Sequence, residues 1–222
     1  MPDLKTKAQG AQKLPPRTAP KETRRLQLIE ATIESIAKHG ISGTTMKTVT
    51  GIAGLSMGIV NFHFQSKDTL FGETLRHLAE EHRGLWRKGI AKAALDPKDK
   101  LMAIIEAHFD PMICNRKKLT VWYNFYGEAA NRAAYREIMA DIDDERWQAT
   151  TDICHEMIED GGYVGLNPAN ITNTIEGLSD GFCLNILLYP DDFNREEAIQ
   201  RVCGVMAGFF PKHFSRPPAC SN

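Results

Sequence analysis

Thr45-Met-Lys-Thr-Val-Thr-Gly-Ile-Ala-Gly-Leu-Ser56-Met-Gly-Ile-Val-Asn-Phe-His-Phe64 holds two short apolar periods separated by one Gly-Leu-Ser step, and that break decides the fold. Met46, Val49, Ile52 and Ala53 recur at the steps of one helix face. Gly54-Leu55-Ser56 ends that helix after about two turns, and Ser56 offers the cap of a third running to about Phe62. Upstream, Leu26, Ile29, Ile33 and Ile36 predict a longer helix from Lys21 to His39-Gly40, with capping hydroxyls for the second helix in Ser42-Gly43-Thr44-Thr45. A longer helix followed by two short ones across a tight glycine turn is the helix-turn-helix unit.

Such a unit places its second short helix in a major groove about 12 Å wide, so the exposed positions there must be small or able to touch base edges. Met57, Gly58, Ile59, Asn61, Phe62 and His63 are the candidates. Gly58 permits close backbone approach, Asn61 donates and accepts, and Ile59 suits a thymine methyl. The competing reading of Ile59, Asn61 and His63 is ordinary helix surface or core, with His63 packed beside Phe64. Around them Thr45, Lys47, Thr48, Ser56 and Lys67 supply hydroxyls, a helix amino end and ammonium groups for phosphates.

The remaining text keeps the helical period. Ser66-Lys67-Asp68 caps a long fourth helix, with Phe71, Leu75, Leu78, His82, Leu85 and Gly89 on one stripe, running to about Leu95 before Asp96-Pro97. The period continues through Leu101, Ile104, Ile105, His108 and Met112, through Val121 and Phe125, and from Tyr135 to Met157 before Gly161-Gly162. Asn167-Pro168 opens a helix that Pro190 ends, and a last helix carries Ile199 to Phe209. With no alternating strand, repeat or glycine-rich phosphate loop, the expected fold class is all-α with about nine helices. Residues 1–20, proline-bearing and basic, read as a flexible arm. Residues 21–70 read as the DNA-binding unit and 71–222 as a separate helical part.

Charge agrees with that division. The 222 residues are 42% hydrophobic and 25% charged, an ordinary globular composition, and the net charge of -1 excludes a wholly basic nucleic-acid coat. Yet residues 1–70 carry ten bases and five acids, net +5, which leaves -6 for the rest. One segment is suited to a polyanion and the other is not. The five cysteines are odd in number, widely spaced and form no C-x-x-C, which reads as free thiols in a reducing compartment rather than a disulfide framework or zinc knuckle. No signal-peptide core and no apolar run near 18 residues is found, so the expected location is cytoplasmic with no membrane partner.

The stretch from Thr45 to Phe64, with Lys67 and Leu70 in register, resembles the DNA-binding unit of the TetR family, over about residues 22–82. Three further stretches are similar to that family's choline-responsive branch: Ser56-Met-Gly-Ile59-Val, His108-Phe-Asp110 with Val121-Trp122-Tyr-Asn-Phe125-Tyr126, and Leu178-Ser-Asp180-Gly181-Phe182. The resemblance implies a homodimeric repressor on a palindromic double-stranded DNA operator, with residues 71–222 as its effector-binding and dimerisation domain. It also implies release by a small-molecule inducer, choline or a related cation, and control of glycine betaine synthesis from choline. Met57 and Asn61 stand where the family often carries Lys and Tyr, which makes the operator code this chain's own.

Trp122, Tyr123, Phe125 and Tyr126 crowd one helix, with Phe109, Trp147, Asp110 and Glu128 in neighbouring positions. Aromatic faces beside a carboxylate bind a quaternary ammonium through cation–π attraction, which makes Phe109, Trp122, Phe125, Tyr126, Glu128 and Trp147 the expected ligand set. Aromatics at helical spacing also form plain core, and both readings stand open at this point. Gly177 and Gly181 give the penultimate helix a flat face, explained either by packing within the subunit or by dimerisation. Two-fold dimers are the default for such DNA readers, so Gly177, Gly181, Val205 and Phe209 on the last two helices are the expected dimer interface. No cofactor or metal is expected: His77 and His82 are five apart and do not share a helix face, and no nucleophile motif suggests an enzyme. Other readings are a helical small-molecule-binding protein or enzyme that keeps the DNA-binding unit as a scaffold, and an activator of the same family.

Overall fold

The computed structural model describes residues 20–93, 95–128, 132–192 and 194–215; the expected arm up to residue 19, and Cys220, lie outside them. Among the described residues there are nine helices and no strand. They are α1 (Lys21–Gly43), α2 (Met46–Ala53), α3 (Met57–His63), α4 (Lys67–Lys92), α5 (Pro97–His108), α6 (Arg116–Gly127), α7 (Arg132–Gly161), α8 (Pro168–Leu188) and α9 (Arg195–Phe209).

Local chemistry sets the boundaries. Gly40, at φ 68° and ψ 175°, breaks α1 where the sequence places its stop, and one more turn follows at an angle. A side chain there would be strained. Thr45 and Thr48 form a reciprocal capping box at the start of α2, and Gly54, left-handed at φ 64°, makes the sharp corner into α3. Ser66, Asp96, Asn115, Asn167 and Asn194 accept backbone N–H bonds at the starts of α4, α5, α6, α8 and α9. Ser56 holds the corresponding place before α3, but its hydroxyl makes no cap bond. Helix α4 ends at Lys92, short of the expected Leu95.

Two apolar cores form. The first joins Leu28, Ile33 and Ile36 of α1, Val49, Val60 and Phe64 with Leu70, Leu75 and Leu78 of α4, then takes in Val121 and Phe125 of α6 and Tyr135, Met139 and Ile142 of α7. The second joins Trp86 with Leu101, Ile104, Ile105 and Phe109, and with Met157, Ile175, Val202, Met206 and Phe210. Each such side chain contributes about 1.5–3 kcal/mol when fully buried. The boundary expected at residue 70 falls inside the first core, which continues to Ala79 and draws on α6 and α7. Helix α4 therefore belongs to both cores, its first half to one and Trp86 to the other. No helix among the described residues is long and apolar enough to cross a membrane.

Candidate DNA interface and effector cavity

Val60 and Phe64, 0% and 1% exposed and one turn apart, root α3 in the first core and fix which face looks outward. Ser56, Met57, Gly58, Asn61 and Phe62 are exposed. Phe62 is 71% exposed, with the Lys21 ammonium 5.6 Å from its ring centre. Ile59 and His63 are half-buried on the flank. The His63 ring lies 5.2 Å from Phe62 and 6.3 Å from Phe64, and burial, aided by the Lys21 charge, pushes its pKa below the ordinary value. His63 is thus a packing residue as much as a surface one.

Of the groups expected on phosphates, Lys47 and Thr45 are exposed. The fold also engages polar atoms of Thr48 and Lys67. The Thr48 hydroxyl donates to Thr45 O (2.8 Å), accepts from Thr45 N–H (2.9 Å) and meets Ser35 Oγ at 3.1 Å. Lys67 Nζ donates to Ile41 O at 3.2 Å and lies 4.9 Å from the Phe71 ring centre, pinning the start of α4 to the end of α1.

Where the cores meet, a cavity of about 190 Å³ opens between Ala79 and His82 of α4, His108 of α5, Trp122, Tyr123 and Tyr126 of α6, Asp143 and Arg146 of α7, and Asp180 and Cys183 of α8. At about 30 Å³ per water-sized group, that is room for roughly half a dozen such groups. The Trp122 and Tyr126 rings stand 5.8 Å apart at 31°. His82 and His108 meet edge to face at 4.7 Å. His108 Nδ1–H donates to Ile104 O at 2.9 Å, whereas the buried His82 Nε2 has no hydrogen-bond partner among the described residues. Burial holds both imidazoles below their ordinary pKa, and the pair's mutual proximity and Arg146 add to it for His82.

Carboxylates outnumber cations around this cavity. Arg146 donates to Glu176 through Nε (3.0 Å) and Nη2 (2.8 Å) and to Asp143 Oδ1 through Nη1 (3.1 Å). That forked pairing holds the Glu176 carboxyl below its ordinary pKa although burial works against it. Asp180 forms no ion pair within 4.0 Å among the described residues, and Tyr123 donates to its backbone O at 2.8 Å. Desolvation raises the pKa of Asp180 and Asp143, in Asp143 against the lowering effect of the Arg146 guanidinium. One guanidinium against three carboxyls beside aromatic faces suits a small cation with an apolar surface.

The structure divides the expected ligand set. Trp122 and Tyr126 line the cavity. Phe109, 2% exposed, is second-core packing, and Phe125, 1% exposed, packs in the first core with Phe71 at 6.1 Å and Tyr135 at 4.9 Å. Trp147 Nε1–H donates to Asn173 Oδ1 at 2.9 Å, away from the cavity. Glu128 follows the end of α6 and borders a separate open cleft with His39 and Gly40. The reason is rotation: α6 turns Val121 and Phe125 to one core and Trp122 and Tyr126 to the cavity. His82, His108, Asp143, Arg146 and Asp180 were not foreseen as site residues. Two histidines interrupting the apolar stripes of α4 and α5 were the available signal.

On α8, Gly177 and Gly181 are exposed, and a Cβ at either would meet nothing within 4 Å. Packing within the described protomer is therefore not their reason. Leu184, 37% exposed, and Leu188, 57% exposed, extend the same stripe, and Val205 of α9 is 37% exposed. Phe209 is half-buried against the second core.

Residues 28–74 match the family described as bacterial regulatory proteins of the tetR family, and residues 97–210 match the C-terminal domain of BetI-type transcriptional repressors. The HTH-type transcriptional regulator BetI of Paraburkholderia phymatum is 37% identical over 127 residues, 55% of this chain, which spans 63% of that protein's length. The BetI of Burkholderia thailandensis is 29% identical over 188 residues, 83% of this chain and 92% of that protein. Among solved structures, a transcriptional regulator from Pseudomonas aeruginosa PAO1 superposes with a TM-score of 0.78 at 24% identity, covering 88% of this chain and 95% of its own. A regulator from Saccharomonospora viridis in complex with choline gives 0.69 at 17% identity, covering 82% and 94%. At these identities the two structures bear on the fold alone.

Proposed function

The chain belongs to the TetR family, with a C-terminal domain of the BetI repressor type, and from that premise we propose that it is a DNA-binding transcriptional repressor released by a small cation. Residues 21–70 supply the DNA-reading part and 71–222 the effector and dimer part. Gly58, Asn61, Met57 and Phe62 face base edges, Ile59 and His63 flank them, and Lys47 with the amino end of α2 positions phosphates. The exposed Gly177, Gly181, Leu184 and Leu188 stripe, with Val205, joins two copies so that two recognition helices address two half-sites.

One observation carries the regulatory reading: the carboxylate-rich cavity lies at the seam of the two cores and has Ala79 and His82 of α4 in its wall. An occupant that fits better when α4 is displaced lowers the population of the DNA-competent dimer by its differential affinity for the two states. Trp122 and Tyr126 supply cation–π faces, each good contact contributing about 0.5–2 kcal/mol, and Asp180 supplies the uncompensated charge. Choline, a cation small enough for this space, is the effector we infer, a reading supported by the BetI-type C-terminal match and the BetI relatives.

Binding to the duplex upstream of the chain's own gene, compared with random duplex at two salt concentrations, tests the DNA reading. A preference of about 1,000-fold or more, surviving the salt increase, is expected. Equal affinity for both duplexes contradicts it.

A further inference from the structure

Cys114, in the turn between α5 and α6, and Cys183, on α8, bring their Sγ atoms to 4.0 Å across 69 positions of sequence. Cys114 is fully buried, whereas Cys183 is half-buried and forms part of the cavity wall. The Cys114 backbone is fixed on both sides: its N–H donates to Asp110 O at 2.7 Å and its O accepts from Arg195 Nη1 at 3.3 Å. The Cys183 thiol also points toward His108 O at 3.7 Å. No other pair of described cysteines is so placed: Cys154 is buried in the second core, and Cys203 has the Met102 thioether 3.5 Å away.

The two thiols are chemically unequal. A hydrogen bond from Cys183, with the Arg195 charge nearby, favours the Cys114 thiolate despite its burial. Bonding to Cys114, burial and the Asp180 carboxylate disfavour ionisation of Cys183. An acidic thiol facing a protonated one at near-contact distance is the starting arrangement for thiol–disulfide chemistry. A disulfide needs the sulfurs to close to about 2.05 Å, a movement on the order of 2 Å.

We propose that Cys114 and Cys183 are a reversible dithiol–disulfide modification site, oxidised by hydrogen peroxide that enters through the cavity. Peroxide reaches Cys183 first because that residue forms the wall. Cys183 passes its proton across the 4.0 Å contact to the Cys114 thiolate and, now the thiolate, bonds to one peroxide oxygen as the O–O bond breaks; the hydroxide released takes that proton back from Cys114, leaving a sulfenic acid at Cys183, the Cys114 thiolate and one water. The Cys114 thiolate then attacks the Cys183 sulfur; the S–S bond forms, the S–O bond breaks, and the hydroxide leaves as a second water by taking from solvent the proton that Cys114 released when it ionised. Two thiols and one peroxide give one disulfide and two waters, with two electrons passing from sulfur to oxygen. The link ties the α5–α6 turn to α8 and draws Cys183 out of the wall beside His108 and Asp180, so oxidation weakens cation binding there. That last consequence rests on the effector reading above; the cysteine chemistry does not.

The test treats the reduced full chain with hydrogen peroxide, blocks remaining thiols by alkylation and maps peptides by mass spectrometry. Cys114 and Cys183 should disappear together into one linked peptide pair that dithiothreitol restores, while Cys154 and Cys203 stay alkylated. Cys183→Ala should leave Cys114 free. A Cys183 oxidised while Cys114 remains free, or either residue linked to a third cysteine, overturns the proposal, and the wild-type map alone can show it. A second arm measures the thermal shift given by choline chloride before and after oxidation, with at least a threefold loss of shift expected. An unchanged shift overturns the coupling. Absence of any shift in the reduced protein overturns the effector reading, and the peptide map still decides the cysteine pair.

Discussion

His82 and His108 meet edge to face, 4.7 Å between ring centres, at the place where α4 passes from one apolar core to the other. His108 Nδ1–H donates to Ile104 O, and His82 Nε2 has no hydrogen-bond partner among the described residues. The pair adds imidazole edges to a wall that otherwise offers aromatic faces and carboxylates.

Burial lowers both imidazole pKa values, so acid should destabilise the fold through this pair. Below about pH 6.5 the unfolded chain takes up protons that the folded chain refuses, and stability falls with falling pH until the folded pKa values are reached. The slope is about 1.4 kcal/mol per pH unit for each histidine, so up to about 2.7 for both. Urea unfolding at pH 7.5 and 5.5 should show a larger acid loss for wild type than for His82→Leu. Equal losses would exclude the histidines as the cause.

Arg146 and Glu176, with side chains 14% and 20% exposed, form a forked pair inside the wall. Glu176→Gln leaves the guanidinium with Asp143 as its remaining carboxylate and should cost about 3 kcal/mol. Asp180→Asn removes a carboxyl that has no ion pair and should change stability by less than about 1 kcal/mol. Thermal unfolding followed by circular dichroism compares them; similar losses would mean that Asp180 is structural.

Asn61→Ala alters an exposed side chain on α3 and should leave folding intact. Binding to the specific duplex should weaken by about 1–3 kcal/mol, with random-duplex binding unchanged. Lys47→Ala should weaken both alike and reduce the salt slope by about one. A uniform effect of Asn61→Ala would demote it to a backbone contact.

Gly181→Glu adds a side chain where a Cβ meets nothing within 4 Å, and a helical glycine is lost at no packing cost to the protomer. Light scattering should find dimeric wild type and a folded monomeric variant. A dimeric variant, or a monomeric wild type, would move the interface elsewhere.

The helices were legible because their signals are local: Thr45, Gly54, Ser66 and Asn167 act within one turn of themselves, and the apolar period needs no partner. The outward face of α3 was legible for the same reason, since Val60 and Phe64 must point inward together. The cavity was not. Its wall comes from five helices, and adjacent positions on α6, Phe125 and Tyr126, go to a core and to the cavity respectively. Which way a helix is rotated is set by its neighbours. The bonds that Thr48 and Lys67 make within the fold were not legible either, because their partners, Ser35 and Ile41, lie on another helix.

The most direct measurement follows fluorescence anisotropy of the upstream duplex bound to the full chain while choline chloride is added, with wild type beside Trp122→Ala and Asp180→Asn. Wild type should release the duplex at choline concentrations that leave both variants bound. Retention of the duplex by wild type at saturating choline, or release by all three at the same concentration, would contradict control through the seam cavity.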